Sequence, residues 1–148
     1  MDLEPIKYPY DTNLKWNEEK KGILKSKGKP DINVACPPEF GGHTGIWVPG
    51  DLFVGSIEVC LMTTFLWHAY RKNLNLNNYT SNARGIVEQV KGIPRFSSVT
   101  VKINIDVASE SDKKNAEIII LKLKHGCLIS NSCDINLEID SEISINGY

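Results

Sequence analysis

An excess of charge of either sign is missing from this chain. Its 17 Lys and Arg balance 18 Asp and Glu, for a formal net charge of -1. No global basic field draws it onto nucleic acid or an anionic membrane surface, so polyanion partners are not expected. Histidine and cysteine are scarce, at three and four. The cysteines, Cys36, Cys60, Cys127 and Cys133, are scattered through 148 residues, a length that builds a core without staples. A disulfide framework is therefore not expected, while a cytosolic redox pair stays open. The opening stretch MDLEPIKYPYD has acids and prolines where an export signal needs a basic stretch and an apolar run, so a cytoplasmic location is expected. Internal repeats and low-complexity tracts are absent. So is a phosphate loop: no Lys-Ser or Lys-Thr pair follows the glycines at Gly41, Gly42 and Gly45 before a helix.

Hydrophobic residues at 41% and charged residues at 24% match a folded globular chain, and the length suits one domain spanning residues 1–148. Residues 1–35 alternate short apolar pieces with turn signals, which predicts a hairpin-rich start and a short strand at Ile32–Ala35. The stretch CPPEFGGHTGIWVPG at Cys36–Gly50 is dense in Pro and Gly and reads as a shaped loop. Pro49 suits a first helical turn, and the spacing predicts a helix from about Gly50 to Lys72. Its apolar residues cover nearly the whole circumference, so it is expected to be central and buried. Glu58 and His68 within the apolar stretch Leu52–Tyr70 favour a core helix over a membrane span.

Two strands are predicted next, at about Thr80–Lys91 and Ser98–Ala108. In the second, Val99, Val101, Ile103, Ile105 and Val107 share one face. Ser109 with Asp112 three residues on can cap a second helix, which Lys122, Lys124 and His125 close before a stop at Gly126. The closing segment alternates through Ile135, Leu137, Ile139, Ile143 and Ile145.

Several side chains invite a chemical reading. A cysteine in a buried helix is most often an inert small hydrophobe, which is the bland account of Cys60; Cys127 sits just past a helix stop. Cys36 and Cys133 are expected to pack rather than react. His125, Cys127 and Cys133 match no zinc spacing and lack a fourth ligand, so no metal is expected. Glu58, roughly 160° round the helix from Cys60, reads as structural or as a subunit contact. Trp16, Trp47, Phe53 and Phe65 suit either an apolar pocket or core packing.

The runs PPEFGG at Pro37–Gly42, GIWVPGDLF at Gly45–Phe53, EVCLMTTF at Glu58–Phe65 and GCLISNS at Gly126–Ser132 resemble the OsmC-like family. That family contains osmotically inducible and organic hydroperoxide resistance proteins, and the likeness runs from about Leu14 to Ile145. It implies an α+β fold with an antiparallel sheet curved around a long central helix, in an intertwined homodimer whose active sites lie at the subunit interface. It also implies a thiol peroxidase without cofactor or metal. Cys60 would attack an organic hydroperoxide, Cys127 would resolve the sulfenic acid as a disulfide, and a cellular dithiol, lipoyl-linked in some relatives, would reduce it.

The likeness also sets a requirement. Cys60 lies roughly 15 Å from the amino end of its helix at 1.5 Å per residue, too far for the helix dipole to ionise it. Peroxidase members use an arginine in the early hairpin, held by a glutamate directly after the proline that opens the central helix. Here the arginine position falls in Lys20-Lys21-Gly22, with Lys20 the favoured counterpart, and the glutamate position on Gly50. Lysine keeps the charge without the planar fork, and glycine supplies no acceptor, leaving Glu39 as a substitute carboxylate. Asp51 faces the opposite side of the helix from Cys60. The other reading implied is a catalytically weak OsmC-like dimer that binds a small apolar ligand or has a structural stress role.

Overall fold

The computed structural model describes residues 5–146. The first four residues of the opening stretch read above for export lie outside them. The chain packs as two units, one ending at Leu52 and the other beginning at Phe53.

The first unit is a three-stranded antiparallel sheet of β1 (Asn13–Trp16), β2 (Lys21–Lys25) and β3 (Ile32–Ala35), in that order. The β1–β2 turn closes with Glu19 in the left-handed region at φ 47°, and the Lys21 amide donates to the Glu18 carbonyl at 2.9 Å. After β3 comes a 3-10 turn at Pro38–Phe40, ended by Gly41 at φ 69°. Trp47 bridges back to Val34, its carbonyl accepting from the Ala35 amide at 2.9 Å. The hairpin-rich start and the shaped loop expected here are both present.

Helix α1 runs over Pro49–Arg71, one residue from the expected bounds at each end. Its start is set locally: Pro49 tolerates the missing amide of a first turn, and the Asp51 carboxylate accepts from the Val48 amide at 3.1 Å. Of the burial expected on all sides, the chain by itself supplies one stripe. Within the chain only the stripe Ile57, Leu61, Phe65 and Ala69 is buried, whereas Val59, Trp67 and Tyr70 are 56%, 55% and 85% exposed. The helix is long and apolar enough to cross a membrane by length and composition alone, at a mean hydropathy of 1.4. Its buried stripe instead joins the core of the second unit.

That unit's sheet has the order β4 (Leu76–Val90), β5 (Ile93–Val107) and β6 (Asn136–Ile145). β4 and β5 form a long hairpin through Lys91 and Gly92, both at positive φ. Both strands reach further than expected, and β5 includes Pro94. Before Ser98, where pairing with β6 begins, β5 has only one ladder to satisfy, and such an edge tolerates a proline. The five predicted inward residues from Val99 to Val107 are all buried.

Helix α2 (Glu110–Gly126) follows, then the single turn α3 (Leu128–Asn131). The Ser109 hydroxyl accepts from the Asp112 amide as the sequence predicts. β6 runs parallel to β5, which corrects the all-antiparallel sheet. A strand leaving β5 through two helices has crossed over and returns in the same direction. The architecture is α+β. The core of the second unit gathers the α1 stripe, the β5 face, Ala116, Ile119 and Leu123 of α2, and Cys127.

Candidate functional site

Cys60 sits midway along α1, one residue before the buried Leu61, and is itself partly buried. Cys127 is fully buried in the crook between α2 and α3. Both are free thiols, and Cys60 is a near enough neighbour of Cys127 to help raise the pKa of its thiol. The structure thus makes neighbours of two thiols 67 positions apart.

Local geometry fixes Cys127. It caps α3, its sulfur accepting from the Ser130 amide at 3.4 Å while its carbonyl accepts from the Ser130 hydroxyl at 3.3 Å. Burial pushes the Cys127 thiol above its usual value of 9.0, against the pull of the Ser130 groups and reinforced by the adjacent Cys60. Cys127 is held as a thiol, suited to receiving an electrophilic sulfur rather than to first attack.

Sequence reasoning missed how the two sulfurs are brought together. Gly126 was expected to stop α2, yet the helix runs through it without the left-handed backbone of a terminal glycine. Its smallness is what counts. A Cβ there would stand 2.9 Å from the Thr64 methyl, on the α1 turn after Cys60. The signal in the sequence was the Gly-Cys pair itself, which the helix-stop reading absorbed.

Glu58, read as structural, accepts from the Ser81 hydroxyl at 2.5 Å, tying α1 to β4. Beside it the Tyr79 hydroxyl is pushed up to about 12, by burial first and the Glu58 carboxylate second.

Lys20 and Glu39 belong to the first unit and Cys60 to the second. The Lys20 ammonium donates to the Phe40 carbonyl at 2.9 Å. Glu39 is exposed on the 3-10 turn, and among the described residues no ion pair joins it to Lys20. Asp51, adjacent to Gly50, is occupied in capping α1.

Comparison with known proteins now bears on this pair of thiols. Residues 42–142 match the family model described as OsmC-like protein. The chain belongs to the OsmC-like family. Both Cys60 and Cys127 fall inside that match, and Lys20 and Glu39 fall outside it. Among curated sequences the chain is 23% identical over 136 residues to the uncharacterised protein YmaD of Bacillus subtilis, covering 90% of each. Its fold is similar to that of an OsmC-like protein of unknown function from Vibrio cholerae, at a TM-score of 0.80, 19% identity and coverage of 93% of this chain and 99% of that one. It is also similar to an organic hydroperoxide resistance protein OsmC from Legionella pneumophila, at a TM-score of 0.69, 18% identity and coverage of 95% and 98%.

In this OsmC-like chain the four aromatic residues weighed as a pocket divide between the two units. Phe65 is sealed in the core beside Tyr79, and Phe53 stacks on Phe96 at 4.4 Å. Trp16 and Trp47 line two different cavities of the first unit. Of the histidines, His43 lies 3.5 Å from the Glu19 carboxylate and His68 packs edge-on against Trp67. Among the described residues no three His, Cys, Asp or Glu side chains converge on one point.

Proposed function

We propose that this OsmC-like protein is a cysteine-based reductase of organic hydroperoxides. The observation that carries the reading is that Cys60 and Cys127 are neighbouring free thiols in the fold. The Cys60 thiolate attacks the outer oxygen of the hydroperoxide, the O–O bond breaks, and the alkoxide leaves as the alcohol after taking a proton. Cys60 is then a sulfenic acid, two electrons more oxidised. The Cys127 sulfur displaces its hydroxyl, the thiol proton leaves with that hydroxyl as water, and an S–S bond forms. A dithiol, lipoyl-linked or otherwise, returns both thiols by exchange, in the reducing cytoplasm where such dithiols are kept reduced.

The proposal is dimeric, with Lys20 of one chain stabilising the Cys60 thiolate of the other and Glu39 supplying the carboxylate that Gly50 lacks. The exposed Val59, Leu66, Trp67 and Tyr70 of α1 support burial by a second copy, since an apolar helix face of this extent marks an interaction surface. A second reading, an OsmC-like dimer with weak or no peroxidase activity that binds an apolar ligand, is favoured by Gly50, which offers no acceptor to the cation.

Treating the purified protein with a slight excess of an alkyl hydroperoxide and mapping disulfides by mass spectrometry separates the two. A prompt Cys60–Cys127 bond that Cys60→Ser abolishes supports the reductase. Free thiols after prolonged exposure overturn it.

A further inference from the structure

Reduction of a Cys60–Cys127 bond must release a buried sulfur. Cys127 is 0% exposed whereas Cys60 is only partly buried, so a dithiol that enters where the hydroperoxide enters meets the Cys60 sulfur first. Attack there breaks the S–S bond and puts its electron pair on the Cys127 sulfur. That sulfur leaves as a thiolate, the form that burial disfavours. The Lys20 charge proposed above is assigned to the other sulfur.

Ser130 stands where such a thiolate needs donors. Its amide donates to the Cys127 sulfur at 3.4 Å, and its hydroxyl donates to the Cys127 carbonyl at 3.3 Å. The Asn131 amide donates to that same carbonyl at 3.0 Å, so the carbonyl keeps a partner when the hydroxyl turns away. Both Ser130 groups pull the Cys127 thiol toward ionisation, against the effect of burial. The turn that carries them is braced from both sides. The Asn131 side-chain amide donates to the His125 carbonyl at 2.9 Å, and the Ser132 hydroxyl donates to the Leu128 carbonyl at 2.8 Å.

We propose that Ser130 is a catalytic residue of the reducing half-reaction, its hydroxyl and amide together holding the Cys127 sulfur as the leaving group. The assignment rests on the Cys60–Cys127 cycle proposed above and gives its reduction a direction. One thiolate of the dithiol bonds to the Cys60 sulfur, the S–S bond breaks, and the Ser130 hydroxyl turns from the Cys127 carbonyl to the departing sulfur. The proton shed by that first thiol ends on Cys127. The second dithiol sulfur then displaces Cys60 and closes the dithiol to a cyclic disulfide. Its proton passes to solvent and Cys60 is left as the thiolate. Two electrons have moved from the dithiol to the protein.

The test closes the disulfide in the full chain with diamide, so that it can be read whether or not hydroperoxide oxidises the pair. The oxidised protein is mixed with 2-mercaptoethanol, whose single thiol cannot close a ring, then quenched with acid and mapped by peptide mass spectrometry. The mixed disulfide is expected on Cys60, with Cys127 free. Ser130→Ala keeps the amide and removes the hydroxyl. It should slow this first exchange about tenfold, the worth of one hydrogen bond to a charged sulfur, and Ser130→Thr should restore most of the rate. A mixed disulfide on Cys127, a parent rate in Ser130→Ala, or equal slowing in Ser130→Ala and Ser130→Thr overturns the assignment. A pair that diamide fails to close overturns it together with the cycle it rests on.

Discussion

Replacing Gly126 by valine should part the two sulfurs of the thiol pair without touching either. A Cβ at this position meets the Thr64 methyl at 2.9 Å, where ordinary contacts begin at 3.4 Å. Thr64 is β-branched and has few rotamers with which to escape. Alanine requires a yield of roughly half an ångström, and its gain in helix propensity, about 0.5–1 kcal/mol, offsets the crowding. Valine adds two methyl groups, requires about 1 Å, and should cost about 1–3 kcal/mol of stability. A disulfide needs its Cβ atoms about 3.5–4.5 Å apart, so the same displacement should slow Cys60–Cys127 bond formation about 10- to 100-fold. The assay mixes protein with an alkyl hydroperoxide, quenches with an alkylating agent, and counts disulfide and trapped sulfenic acid by mass. In Gly126→Val the Cys60 sulfenic acid should form at the parent rate and accumulate. Adding Thr64→Ala should restore disulfide formation, since the pair is coupled through one contact. Disulfide formation at the parent rate in Gly126→Val, or no recovery with Thr64→Ala, would refute the close-approach argument.

The second glycine under pressure is Gly85 on β4, where a Cβ would stand 2.6 Å from Val54 and 2.8 Å from the Phe96 ring; urea denaturation of Gly85→Ala should show a loss of about 2 kcal/mol. On the acid side, the Ser109 hydroxyl and then the Asn75 amide hold the Asp112 carboxyl below its usual 3.8. The folded value being the lower one, Asp112 stabilises above the ordinary carboxylate range, and that contribution is lost as pH falls through the folded value; Asp112→Asn should flatten the acid limb of a stability–pH curve. Cys127 has the opposite sign. Its folded value lies above 9.0, so its contribution is complete at neutral pH and is lost as pH rises past 9.0, and Cys127→Ala should show a shallower alkaline limb in thermal melts.

Much of the fold was legible because its determinants are local. Pro49 and the turn residues around it placed α1 to within a residue at either end, and Ser109 with Asp112 marked the start of α2 by a bond between neighbours. The alternation from Val99 to Val107 named the buried face of β5 in full. The direction of β6 was less visible, because the same alternation serves a parallel or an antiparallel neighbour. Only the intervening α2 implied a crossover, and the antiparallel reading passed over it. Burial of α1 was legible only in part: hydrophobicity says which residues tolerate burial, while the chain by itself supplies neighbours for one stripe.

The candidate site divides the same way. The resemblance of the motifs to the OsmC-like family singled out Cys60 and Cys127 from four cysteines that residue type alone does not tell apart. Tertiary structure alone decided that the two thiols are neighbours, that burial raises the Cys127 pKa, that Gly126 matters for its size, and that the Lys20 ammonium rests on the Phe40 carbonyl. Contact and ionisation depend on distance and on the exclusion of water, and both arise only when segments far apart in the chain pack against one another.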